Sequence, residues 1–158
     1  MTRLIREDYK RKLDADFTIA STLEGEIQSV YSRYLCVRVA GFLEACLKEE
    51  ISLFVEPRCP ANIKKYIIST LQNTTNLTHN KIIKALQNFS QNWCEHYAGN
   101  VTEEMTQSIG SIYSNRNNIA HGQNSNITLQ QVKKDYENIK HVVQAIHNAI
   151  TDSSYPRR

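Results

Sequence analysis

Apolar residues recur at steps of three and four along most of the chain, the period of helices that each bury one face. A first helix is expected over about residues 3–16, inside a charged N-terminal segment at 1–18. A second, long one is expected over about 20–56, carried by Leu35, Val39, Phe42, Leu43, Cys46 and Phe54. Pro57 and Pro60 end it, because proline lacks a backbone donor and disfavours helix in the residue before it. A third covers about 61–73, with Ile63, Tyr66, Ile67 and Leu71 on one stripe, and the loop Asn73-Thr74-Thr75-Asn76 follows. Thr78 can cap a fourth, with Leu77 stapled onto Ile82. Its face is Ile82, Ile83, Leu86, Phe89 and Trp93, and Gly99 is expected to stop it.

The fifth helix starts near Thr102, where Glu103 and Glu104 suit the positive end of the helix dipole. Met105, Ile109 and Ile112 set its buried stripe. The last begins at a capping-box pattern, Thr128 with Gln131, and Ile127 can staple onto Val132. Leu129, Val132, Tyr136, Ile139, Val143, Ile146 and Ile150 then repeat as an a/d seam. That seam is either the core of a bundle or a core that also pairs with a second chain. The residues after Thr151, with 152–158 as a flexible tail, are expected to fray.

An all-α fold in a single domain over 1–158 follows, and composition agrees. Five glycines and three prolines in 158 residues are too few for the many turns of an all-β fold. No apolar run approaches the length of a membrane span. The N-terminal segment is charged throughout and lacks the apolar stretch of a secretory signal, so a cytoplasmic protein is expected. Cys36, Cys46, Cys59 and Cys94 show no CxxC or zinc spacing and read as reduced core thiols; no metal or cofactor is expected. Five Asn-x-Ser/Thr triplets are a loose pattern without that signal. The net charge of +3 permits an anionic partner without demanding one.

One stretch departs from a purely structural pattern: Tyr113-Ser114-Asn115-Arg116-Asn117-Asn118-Ile119-Ala120-His121-Gly122. Extending the stripe Met105, Ile109, Ile112 by four residues lands on Arg116. A cation there needs a partner, an exit to water, or a cleft that receives an anion. Asn117 and His121, four apart, share a helix face, whereas Arg116 and His121 lie about 140° apart on a regular helix. Gly122 suits the position just past a helix end, where the chain can splay. Metal-free RNA cleavage needs a base for the 2′-hydroxyl, an acid for the leaving oxygen and a cation for the phosphorane; imidazole and guanidinium supply these. With one such histidine per chain, a two-histidine mechanism needs a second subunit. The alternative is a helix-terminal histidine beside a surface arginine.

The segment SNRNNIAHG resembles the R-x4-6-H signature of the HEPN superfamily in its Arg-Asn-x-x-x-His form, with Arg116, Asn117 and His121 in the motif positions. The segment Tyr34 to Glu44 resembles the second helix of the RiboL-PSP-HEPN branch, with the MAE-type branch close behind. The resemblance implies a bundle of four core helices plus one or two extra ones. It implies a metal-independent endoribonuclease of toxin–antitoxin or phage-defence systems, working as a homodimer and leaving 2′,3′-cyclic phosphates. Arg116 would then contact the scissile phosphate, His121 act as general acid or base, and Asn117 support both. An antitoxin or other regulatory protein is the further partner implied. Toxins of this kind that are controlled by a nucleotidyltransferase carry a Tyr two residues after the His; here Gln123 stands there. Other HEPN proteins are non-catalytic interaction or ligand-binding modules, so the alternative for this chain is a non-catalytic protein-interaction or RNA-binding module.

Weaker candidates remain. Arg38 lies among Val37, Val39 and Ala40, in a buried ion pair or facing the cleft; Glu44 is a candidate partner for it or for Arg116, although Arg38 and Glu44 share no face. Arg58, Lys64, Lys65, Lys81 and Lys84 outnumber Glu95 over 57–98, as solvated faces or as an RNA-tracking patch. Trp93, Tyr97 and Tyr113 fit core packing or base stacking. His79, His96, His141 and His147 form no ligand set.

Overall fold

The computed structural model describes residues 4–152, and among them every regular element is a helix. α1 (Ile5–Ala20) and α2 (Gly25–Val55) form a hairpin. The start of α1 meets the far end of α2, where Glu49 accepts from the backbone of Ile5 and Arg6, and Tyr31 reaches Asp16 at the other end. α1 runs past its expected end near residue 16, to Ala20, and α2 starts later than the expected 20: the chain turns over Ser21–Glu24 before Gly25, at φ +59°.

α3 (Ala61–Gln72) packs chiefly on α2, and its stripe is only partly covered: Leu71 is buried and Ile67 half-buried, but Ile63 and Tyr66 are exposed. The expected fourth helix is two. α4 (His79–Gln87) ends at Asn88, and α5 (Gln91–Asn100) restarts with Ser90 as its cap, accepting from the Trp93 N–H at 3.4 Å. The stripe from Ile82 to Trp93 runs across the break, and the hydroxyl of Ser90 makes the new start affordable. Gly99 lies within α5 and does not stop it; the chain leaves helix at Val101.

α6 (Glu103–Ala120) is capped by Thr102, and α7 (Leu129–Asp152) has Thr128 accepting from the Gln131 N–H at 3.1 Å. The return bond of a capping box does not form, because the Gln131 side chain donates to Asp135 instead. α2 lies at the centre, against α1, α6 and α7. The a/d seam of α7 is core: Val132, Tyr136, Ile139, Val143, Ile146 and Ile150 are all buried, with Tyr136 against Phe17 and Phe42. That burial leaves the seam with no surface for a second chain. Cys36, Cys46 and Cys94 are buried and Cys59 half-buried, all as free thiols.

α6 is held in register on α7 by polar contacts along one face. Asn138 donates to Ser108 Oγ at 2.8 Å and Ser111 donates to buried Asp135 at 2.7 Å, while within α6 Asn115 Nδ2 donates to the Ser111 carbonyl at 2.9 Å. Buried polar groups are costly when unpaired, so a slip of α6 by one turn would break both inter-helix bonds together. The expected tail lies outside the described residues beyond Asp152, which ends α7. No helix among the described residues is long and apolar enough to cross a membrane.

Candidate functional site

The motif residues lie at the C-terminal tip of α6. Ile109 and Ile112 are buried, and one turn further on Arg116 is half-buried. Its guanidinium donates to Asn76 Oδ1 at 3.1 Å and to Asn117 Oδ1 at 3.2 Å, and it forms no ion pair among the described residues. Two amide oxygens therefore orient the cation without neutralising it. Of the three ways to keep a guanidinium on an apolar stripe, the bundle uses neutral partners and partial access to water.

Asn76, in the loop between α3 and α4, was not singled out by the sequence. It is the one non-glycine at positive φ among the described residues, +52°, a conformation asparagine tolerates better than most. A loop with two Asn and two Thr signals a turn without saying which side chain faces a helix forty residues away.

His121 is the C-cap of α6, at φ −93° and ψ +10°, off the helical path. Gly122 follows at φ +66°. The Gly122 N–H donates to Ile119 O at 3.1 Å and the Gln123 N–H to Asn118 O at 2.8 Å. These two bonds are a Schellman motif, which satisfies the last carbonyls and reverses the chain. The expected splay past the helix end is thus present. The structure brings Arg116 and Asn117 together; the His121 side chain, exposed at the tip, makes no hydrogen bond to either among the described residues.

The other candidates fall elsewhere. Arg38 faces α1, its guanidinium 4.6 Å over the Tyr9 ring and its Nε 4.0 Å from Asp16. Glu44 pairs with neither arginine and accepts from the Tyr113 hydroxyl at 3.3 Å. Tyr113 is buried, and burial first, then the Glu44 carboxylate, raises its pKa. Trp93 and Tyr97 are core as well. The basic run over 57–98 is partly spent: Lys64 pairs with Glu56 at 2.5 Å, Arg58 lies over Phe54, and Lys81 donates to Thr75 O in the loop that carries Asn76. His79 meets Tyr97, with its pKa lowered by burial, and His147 meets buried Glu50, which also pairs with Arg6.

A helical bundle whose penultimate helix ends in Arg-Asn-x-x-x-His, with a last long helix packed behind it, is the arrangement of the HEPN class. A model of the RiboL-PSP-HEPN family matches residues 4–152, and the chain belongs to that family. Nothing matches among curated proteins or among solved structures.

Proposed function

We propose that this protein is a metal-independent endoribonuclease that cleaves RNA to a 2′,3′-cyclic phosphate in a cleft formed by two copies of the chain, in a toxin–antitoxin or phage-defence setting. The observation that carries this reading is Arg116: a half-buried guanidinium held by two neutral oxygens, five residues before an exposed histidine. A cation so oriented and not neutralised is suited to charge that develops on a phosphorane. An imidazole with no side-chain partner is free to take or give a proton. Asn117 supports the pair by fixing Arg116.

The second copy supplies the second histidine. Support for pairing comes from α2, where Ile27, Val30, Tyr34 and Val37 follow three- and four-residue steps and are 67%, 52%, 46% and 40% exposed. Soluble proteins seldom leave so regular an apolar strip to water. Tyr34→Glu is expected to shift sedimentation to the monomer, because a charge at the centre of an isologous contact meets its own copy.

The test of the reading is cleavage of single-stranded RNA in excess chelator, with the products analysed for cyclic phosphate. Activity is expected to vanish in Arg116→Ala and His121→Ala while helical content and melting stay as in the parent. Intact RNA across varied substrates, from dimeric and folded protein, would overturn it. The same exposed strip favours a second reading, a non-catalytic module that docks an antitoxin or other regulatory protein. That reading expects a stable protein complex that survives His121→Ala, and no cleavage.

A further inference from the structure

A cavity of about 290 Å³ lies between the N-terminal half of α2 and the connection from α6 to α7. Ser29, Ser32 and Arg33 line it from α2, and Ser125, Asn126 and Thr128 from the connection. Its volume is at the lower end of small-ligand sites, about 300–1,000 Å³. No carboxylate lines it. The four hydroxyls are already engaged: Ser29 and Ser32 donate to carbonyls one turn back, Ser125 donates to Asn115 Oδ1 at 2.8 Å, and Thr128 caps α7. Two side chains are uncommitted. Arg33 is half-buried and makes no hydrogen bond or ion pair among the described residues, and the Asn126 amide makes no hydrogen bond there either.

An unpaired, partly desolvated guanidinium is a cost that an anion repays. An amide offers a donor and an acceptor together, the complement of a base edge. The wall of the cavity is also tied to the motif, since Ser125 comes four residues after His121 and bonds Asn115, the neighbour of Arg116. We infer that this cavity is a nucleotide subsite of the RNA substrate, in which Arg33 binds a phosphate flanking the scissile one and Asn126 contacts the base. The assignment rests on the nuclease reading for its place beside the scissile bond, but the site itself binds whether or not the RNA is cut. Single-stranded RNA, with its bases splayed, is the form that fits.

The test uses the full-length His121→Ala chain, alone and with Arg33→Ala or Arg33→Lys, titrated with labelled single-stranded RNA oligonucleotides at several salt concentrations. Arg33→Ala is expected to weaken binding about tenfold and to reduce the salt slope by about 0.7, the loss of one phosphate contact. Arg33→Lys should recover most of the affinity. Asn126→Ala should change the ranking among homopolymers of the four bases. Arg33 has no partner among the described residues to lose, so melting should not move, and an unchanged melting point with unchanged affinity and slope overturns the inference. Polyglutamate competing as well as RNA at equal charge overturns it too, in favour of an acidic peptide. Cleavage by the parent chain that Arg33→Ala leaves intact, in kcat and in KM, sinks the subsite and keeps the nuclease. RNA binding that depends on Arg33, without cleavage by the parent, does the reverse.

Discussion

Arg38 and Arg116 both stand on helices among apolar neighbours, and the bundle surrounds them differently. Around Arg38, α1 supplies the face of Tyr9 at 4.6 Å and the carboxylate of Asp16 at 4.0 Å. Around Arg116, a loop and the helix itself supply two amide oxygens at 3.1 and 3.2 Å. A carboxylate offsets a positive charge, whereas an amide only aims it. Arg38 therefore belongs to the seam between α1 and α2, whereas Arg116 has no counter-charge among the described residues. The kind of oxygen nearby, more than the depth of burial, separates the two arginines here, and on the nuclease proposal it separates a packing arginine from a binding one.

The strongest way to break this comparison is to truncate each arginine in turn. Arg116→Ala is expected to lower RNA cleavage by at least about 100-fold with little change in melting. Arg38→Ala should leave cleavage near the parent rate and lower stability by about 1 kcal/mol in urea unfolding, through lost stacking on Tyr9. An Arg38→Ala chain that is stable but inactive would erase the distinction. A sharper version gives Arg116 the partner it lacks. Asn76→Asp keeps a residue that tolerates the left-handed backbone but adds a carboxylate beside the guanidinium. RNA affinity should then fall about tenfold, or about 1.4 kcal/mol, with the fold intact.

Gly122 gives a smaller effect. At φ +66° an alanine is strained although nothing lies within 4 Å of its Cβ, so Gly122→Ala should cost about 1 kcal/mol in urea unfolding. Because His121 is the residue before it, cleavage should drop by more than that loss of folded protein explains. The mildest probe is thiol labelling at pH 8. Burial pushes the Cys36 and Cys46 thiols up to about 12, so both should resist alkylation in the folded chain while half-buried Cys59 reacts. Cys36 donates to Ile112 O at 3.5 Å, one turn before Arg116, and its protection would show that α6 is sealed immediately below an open tip.

Local chemistry made much of this legible in the sequence. The caps Thr78, Thr102 and Thr128 act on N–H groups three residues away, and the seam of α7 repeats often enough to be read directly. Arg116 was visible as a cation out of place on its own stripe, and Gly122 as a helix stop. What stayed hidden depends on distant partners or on competition between signals. The break at Ser90 was masked by a stripe that continues through it. The pairing of Glu44 with Tyr113, and of Asn76 with Arg116, joins elements 69 and 40 residues apart. Ile63 and Tyr66 share a stripe with Leu71, yet they face water because α3 packs chiefly on one neighbour, α2.

The Schellman turn after His121 ties the length of α6 to the placement of the motif side chains. With 3.6 residues per turn, adding one residue between Asn117 and His121 would swing the imidazole about 100° around the axis, and adding a whole turn would carry it about 5.4 Å along the axis. The hydrogen bonds between α6 and α7 prevent the helix from rotating to compensate. The stop at Gly122 therefore works as a gauge block, fixing where the His121 imidazole stands relative to Arg116.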